Sequence, residues 1–205
     1  MSNGLYNGLE NGLDNGLYNG LYHNINPKTK TLILNLDGGD RRSASSNVGT
    51  KWVDLTYNNY NGILVNGAIF NSTSQGCISC NGGSAYVEIE NSDKIKLGAD
   101  NFSVEYWVKK KVTTVGAYYN GVWGVNKWIS GGFAGTNEWD LALGGVNVDQ
   151  FQFSIEVGAT TFSTGVYPLT INQWYQAVGI RKGEKLQLYV NGILRQEFTH
   201  PLFNQ

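Results

Sequence analysis

Cys77-Ile78-Ser79-Cys80 has the spacing of a redox pair or of half a zinc site. No second pair of ligands follows at metal-binding spacing and no strand-helix-strand pattern surrounds it, so neither zinc nor thiol chemistry is expected. Gly76 and Asn81-Gly82-Gly83 put the motif in a loop, where a short disulfide and two reduced thiols both fit. The other pair with chemical spacing is Glu88-Ile89-Glu90, whose two carboxylates share one face of a strand. A retaining glycosidase needs two carboxyl groups about 5–5.5 Å apart. No third acid completes the usual run and Glu105 stands alone, so a solvated strand face is the expectation. His23 and His200 are the only histidines, too few and too far apart in the chain for a His-centred catalytic site or a multi-His metal site. The chain therefore reads as non-enzymatic, with no catalytic, cofactor-binding or metal residues assigned.

Recognition chemistry has better material. Tyr118, Tyr119, Trp123, Trp128 and Trp139 fall in the Gly-rich span from Val115 to Gly145, where loops would expose rings as a platform for a glycan. These five are the candidate glycan contacts; the same rings would serve equally well in a core or a subunit contact. Asn71-Ser72-Thr73 and Asn101-Phe102-Ser103 match the glycosylation pattern, which matters only on a secretory route.

The elements that must position these residues are short and apolar, divided by Gly, Asn, Asp and Ser. Strands are predicted at Thr31–Leu36, Gly62–Phe70, Ala85–Glu90, Phe102–Lys109, Glu138–Gly144, Gln150–Val157, Tyr175–Arg181, Lys185–Val190 and Ile193–Phe198. No window carries a helical stripe, so the pattern argues for an antiparallel sandwich or barrel. In Phe102–Lys109 one face carries Phe102, Val104, Tyr106 and Val108, while Trp107 shares the other with Ser103, Glu105 and Lys109. In Lys185–Val190 the apolar face is Leu186, Leu188 and Val190, and Asn191-Gly192 then predicts a hairpin.

Composition narrows the partners. Over 205 residues, 15 Lys and Arg face 16 Asp and Glu for a net charge of -1, which supplies no field for nucleic acid. No apolar run is long enough for a membrane-spanning helix. The N-terminus lacks a cationic start and apolar stretch, so an extracellular role would need another exit, such as lysis, or prior processing.

Residues 1–26 form a low-complexity tail, and 27–205 the expected sandwich. Asn-Gly-Leu recurs from Asn3-Gly4-Leu5 to Asn19-Gly20-Leu21 with a period of four, which matches neither strand nor helix. One reading is a flexible leader. The other is a peptide that orders on a partner, with Leu5, Tyr6, Leu9, Leu13, Leu17, Tyr18, Leu21 and Tyr22 filling a row of shallow pockets.

Several segments carry a resemblance. Phe102–Lys109, Trp174-Tyr175-Gln176-Ala177-Val178-Gly179 and Leu188-Tyr189-Val190-Asn191-Gly192 resemble the motifs of laminin G-like, concanavalin A-like lectin-glucanase domains. Trp52-Val53-Asp54-Leu55 and Asn61-Gly62-Ile63-Leu64 resemble the family's early segment, so the shared order spans about residues 31–198. The resemblance implies an all-β, two-sheet antiparallel jelly-roll sandwich, a fold that hosts binding, adhesive, hydrolytic and structural roles. It also implies a further strand after the Asn-Gly hairpin; with few residues left, a permuted or trimmed chain or a neighbouring subunit covering the edge is expected. Calcium is the cofactor the resemblance leaves open, with candidate oxygens at Asp37, Asp40, Asp54, Asn137, Glu138 and Asp140, none spaced as a dedicated loop. A sandwich joined to such a tail resembles tailed-phage virion proteins that decorate capsids or form head fibres. The expectation is a virion-surface structural protein whose tail binds copies of itself or other virion proteins. The alternative is an extracellular glycan-binding or adhesion module using the Trp-rich loops.

Overall fold

A computed structural model describes residues 32–44, 49–81, 84–89, 101–111, 120–124, 139–145, 148–157 and 160–201. Among the described residues fourteen strands run in the order β1 (Lys51–Trp52), β2 (Gly62–Val65), β3 (Ile69–Asn71), β4 (Cys77–Ser79), β5 (Tyr86–Ile89), β6 (Phe102–Lys109), β7 (Asn120–Gly124), β8 (Trp139–Gly145), β9 (Val148–Val157), β10 (Thr160–Ser163), β11 (Tyr167–Pro168), β12 (Trp174–Lys182), β13 (Lys185–Val190) and β14 (Ile193–Thr199). Every described pairing is antiparallel, and no α-helix occurs among the described residues. No helix there is long and apolar enough to cross a membrane. The chain divides into two compact units, Met1–Glu90 and Asn91–Gln205.

The first unit holds a three-stranded sheet, β1-β2-β5, and the β3–β4 pair. The single strand predicted over Gly62–Phe70 is two. Asn66 and Gly67 take positive φ values of 51° and 89°, and the Ala68 N–H closes the turn on the Val65 carbonyl at 3.1 Å. The strand predicted at Thr31–Leu36 is not one: from Leu32 onward the segment lies outside any sheet. Its polar backbone is satisfied elsewhere, with the Asn35 N–H on Asp54 Oδ1 (3.0 Å) and the Leu55 N–H on the Asn35 carbonyl (2.8 Å).

The second unit is a sandwich. One sheet runs β10-β9-β8-β7, with β11 also on β9; the other runs β14-β13-β12-β6. Period-2 patterning fixes what each strand buries: Tyr175, Ala177, Gly179 and Arg181 alternate inward along β12, as do Leu186, Leu188 and Val190 along β13. They meet Phe151, Phe153 and Ile155 of β9 and Phe162 of β10 in one core. Phe153 stands edge-on to Phe102 with centroids 6.2 Å apart, and Phe151 edge-on to Tyr175 at 5.4 Å, the orientation that sets a ring's positive edge against its neighbour's negative face. At one end of the sandwich Lys110 and Asp149 pair at 2.5 Å with side chains only 9% and 13% exposed.

Two irregularities shape the outer strands. Asn191 (φ 52°) and Gly192 (φ 75°) form the two-residue turn between β13 and β14, a conformation that suits the twist of the flanking strands. Between Leu188↔Gln196 and Tyr189↔Leu194, β14 carries an extra residue, Arg195. That bulge sets its guanidinium 4.6 Å from the Tyr167 ring centroid, while Gln196 donates to the Val166 carbonyl at 2.9 Å.

Candidate functional site

The face of the β14-β13-β12-β6 sheet turned away from the core is where the described side chains concentrate recognition chemistry. Alternation sends Ser103, Glu105, Trp107 and Lys109 of β6 to this face, with Gln176, Val178 and Ile180 of β12 and Gln187 and Tyr189 of β13. Trp107 is 64% exposed, unusual for the largest apolar side chain in the middle of a strand. Its cross-strand partner is Gln176. The Gln176 backbone is held by Asn191, whose N–H donates to the Gln176 carbonyl (2.9 Å) and whose Oδ1 accepts the Gln176 N–H (3.0 Å). The Gln176 side chain in turn donates from Nε2 to Glu105 Oε1 at 2.7 Å. The result is an aromatic surface beside an oriented amide and a carboxylate. Trp174 pairs with Lys109, whose Nζ lies 5.9 Å from the Trp174 ring centroid.

Farther along the same face an open depression of about 590 Å³ is lined by Lys182, Glu184, Lys185, Gln187, Tyr189 and Thr199. Glu197 of β14 anchors its polar network, accepting from Lys185 Nζ and from Gln187 Nε2, each at 2.7 Å. Those bonds hold its carboxyl below the usual carboxylate range, Lys185 first and Gln187 second.

Of the five aromatic residues singled out from the sequence, Trp123 and Trp139 lie on described strands. Trp123 and Trp139 lie on neighbouring strands, but Trp123 pairs with Asp140, and Trp139 pairs with Gly124 and Ile155, so they sit one register row apart. Tyr118, Tyr119 and Trp128 lie outside the described residues, as do Glu90, Asn137, Glu138, His23 and all eight tail residues from Leu5 to Tyr22. His200 packs its ring 4.5 Å from that of Phe162. Cys77 and Cys80 are free thiols, and burial pushes the Cys80 thiol above its ordinary value.

Among the calcium candidates, Asp37, Asp40 and Asp54 are engaged locally. Asp54, 4% exposed, accepts the N–H groups of Asn35, Thr56 and Tyr60 and the Thr56 hydroxyl, at 2.6–3.0 Å. Those four donors occupy the lone-pair sites a carboxylate would offer a cation. Asp40 pairs with Arg42 at 2.6 Å, and Asp37 accepts the Gly39 N–H at 2.8 Å. The sequon asparagines are also structural, Asn71 accepting the Thr73 N–H and Asn101 the Gly183 N–H.

Two antiparallel sheets packed over an aromatic core, with an Asn-Gly hairpin at the edge, define a lectin-type β-sandwich. A laminin G family model described as the concanavalin A-like lectin/glucanases superfamily matches residues 81–203, and the chain belongs to that superfamily. No curated protein and no solved structure matches it.

Alternation in the sequence placed Trp107 on the less apolar face of its strand. The partners that make it a site, Gln176 and Tyr189, were not singled out, because pairing across β6, β12 and β13 depends on register, which no local pattern states.

Proposed function

We propose that this chain is a non-enzymatic glycan-binding sandwich presented on a larger particle. The observation that carries the reading is Trp107, 64% exposed beside a Gln176 amide oriented by Glu105. A sugar ring offers C–H groups to the negative face of an indole and hydroxyls to the amide and carboxylate, and the Trp107–Gln176 row with the neighbouring Glu105 supplies all three. The non-enzymatic part is supported by spacing: the two strand carboxylates of this face, Glu105 and Glu197, sit three strands apart, on the order of 14 Å at the usual strand separation. Glycosidase pairs need no more than about 9.5 Å. The test is a glycan array probed with the full chain and with Trp107→Ala. Loss of the bound glycans in a variant that melts normally supports the reading; unchanged binding by Trp107→Ala overturns it.

The Asn-Gly-Leu repeat favours a second, compatible reading, a virion structural protein displayed at the particle surface and attached through residues 1–26. Five evenly spaced leucines would gain little as a plain linker. The mass of the native assembly and cross-links from residues 1–25, compared with a chain lacking them, test it. Cross-links to neighbouring protein that vanish on truncation support attachment, and a stable monomer with a free tail rejects it.

A further inference from the structure

We infer that the ligand of this sheet face is an extended, uncharged oligosaccharide held at two places, over Trp107 and in the depression beside Tyr189; this rests on the glycan reading above. The register supplies the geometry. Trp107 pairs with Gln176, and one row along, Glu105, Val178 and Tyr189 align across β6, β12 and β13. Trp107 and Tyr189 are thus two strands apart, on the order of 10 Å, and offset by two residues, about 7 Å, giving a diagonal of roughly 12 Å. That diagonal exceeds one sugar ring and crosses β12 between Gln176, whose amide can meet a hydroxyl, and Val178, too short to block a chain lying across the sheet.

The charges set the ligand class. Lys109, Lys182 and Lys185 are balanced on this face and its turn by Glu105, Glu184 and Glu197. Glu105 is bonded to Gln176, and Glu197 to Lys185 and Gln187. A sulfated or carboxylated glycan would find no net field on this face. A neutral chain needs only hydroxyl partners. Gln176 and Gln187 each spend one N–H on a glutamate, and an amide has a second N–H and a carbonyl oxygen to offer.

Calorimetry on the full chain separates the outcomes, using neutral gluco-, xylo- and manno-oligosaccharides of increasing length, with heparin and sialyllactose beside them. The ionic strength is varied between about 0.01 and 1 M, which shortens the screening length from about 30 Å to about 3 Å. The expected result is affinity for a neutral series that rises with length and does not change with salt. Tyr189→Ala loses the length-dependent gain, about fivefold to tenfold, and leaves the shortest bound ligand unaffected; Gln187→Ala, which keeps the ring, reduces the same gain. Trp107→Ala loses all lengths. Binding to heparin or sialyllactose that weakens steeply with salt, or affinity independent of length, overturns this inference while leaving glycan recognition standing. No binding to any sugar removes the glycan reading itself.

Discussion

The ring of Phe153 lies directly against the backbone of Gly179: a β-carbon at position 179 would stand 2.5 Å from Cδ2 of that ring and 2.7 Å from Cγ. Phe153 is fully buried on β9 and Gly179 is buried on β12, so this contact sets how closely the two sheets of the sandwich approach.

Gly179→Ala is therefore expected to force the sheets apart or the ring off its rotamer, at a cost of about 1–3 kcal/mol. Urea unfolding of the full chain measures it. The same substitution with Phe153→Leu should recover part of the loss, and a Gly179→Ala protein with an unchanged midpoint would remove the contact as a constraint.

Lys110 and Asp149 make a nearly buried ion pair between the end of β6 and β9, strands of opposite sheets. Replacing one partner leaves the other charge in a site already stripped of most water. Lys110→Met should destabilise by about 3–5 kcal/mol, and Lys110→Met with Asp149→Leu by much less, because removing one member of a buried pair costs more than replacing both with apolar side chains. Thermal melts of the two variants give the comparison; equal losses would contradict it.

Glu197 supplies a pH dependence with a definite sign. Its carboxyl is held below the ordinary carboxylate range by the donors on Lys185 and Gln187, so the ionised form is favoured in the folded chain. The contribution is complete above the unfolded value of about 4.3 and is lost as pH falls through the lower folded value. A carboxyl-detected NMR titration should place the Glu197 midpoint below that of Glu in a peptide, and Lys185→Met should move it back up. An ordinary midpoint in the native chain would refute the network.

Much of the sandwich is legible in the sequence wherever one face of a strand is buried and the other wet. Phe102–Lys109 and Lys185–Val190 begin and end in the structure where their alternation does. The pattern is silent where a strand is short or its hydrogen bonds go to side chains. β11 is two residues, one of them proline, and β10 reads Thr-Thr-Phe-Ser, with one apolar side chain in four. The Leu32–Leu36 run looks like a strand but lies beside Asp54, whose carboxylate takes the N–H of Asn35 that a ladder would have used. The site is less legible than the fold because it is assembled by register. Trp107 is visible as an oddity on its own strand, whereas Gln176 lies 69 residues onward and its amide partner, Glu105, looks isolated until β6 and β12 are laid side by side.

The extra residue in β14 limits how copies of this protein can gather. An edge strand is a template for further strands only while its backbone groups form a straight row. Here the row is bent at Arg195, whose side chain is turned onto Tyr167, and the next residue is tied to the Val166 carbonyl. Growth of the sheet past β14, the route by which crowded β-proteins fuse into aggregates, is discouraged at the strand where Ile193 and Leu194 are 54% and 44% exposed. The bulge therefore works against zipping one β14 onto another.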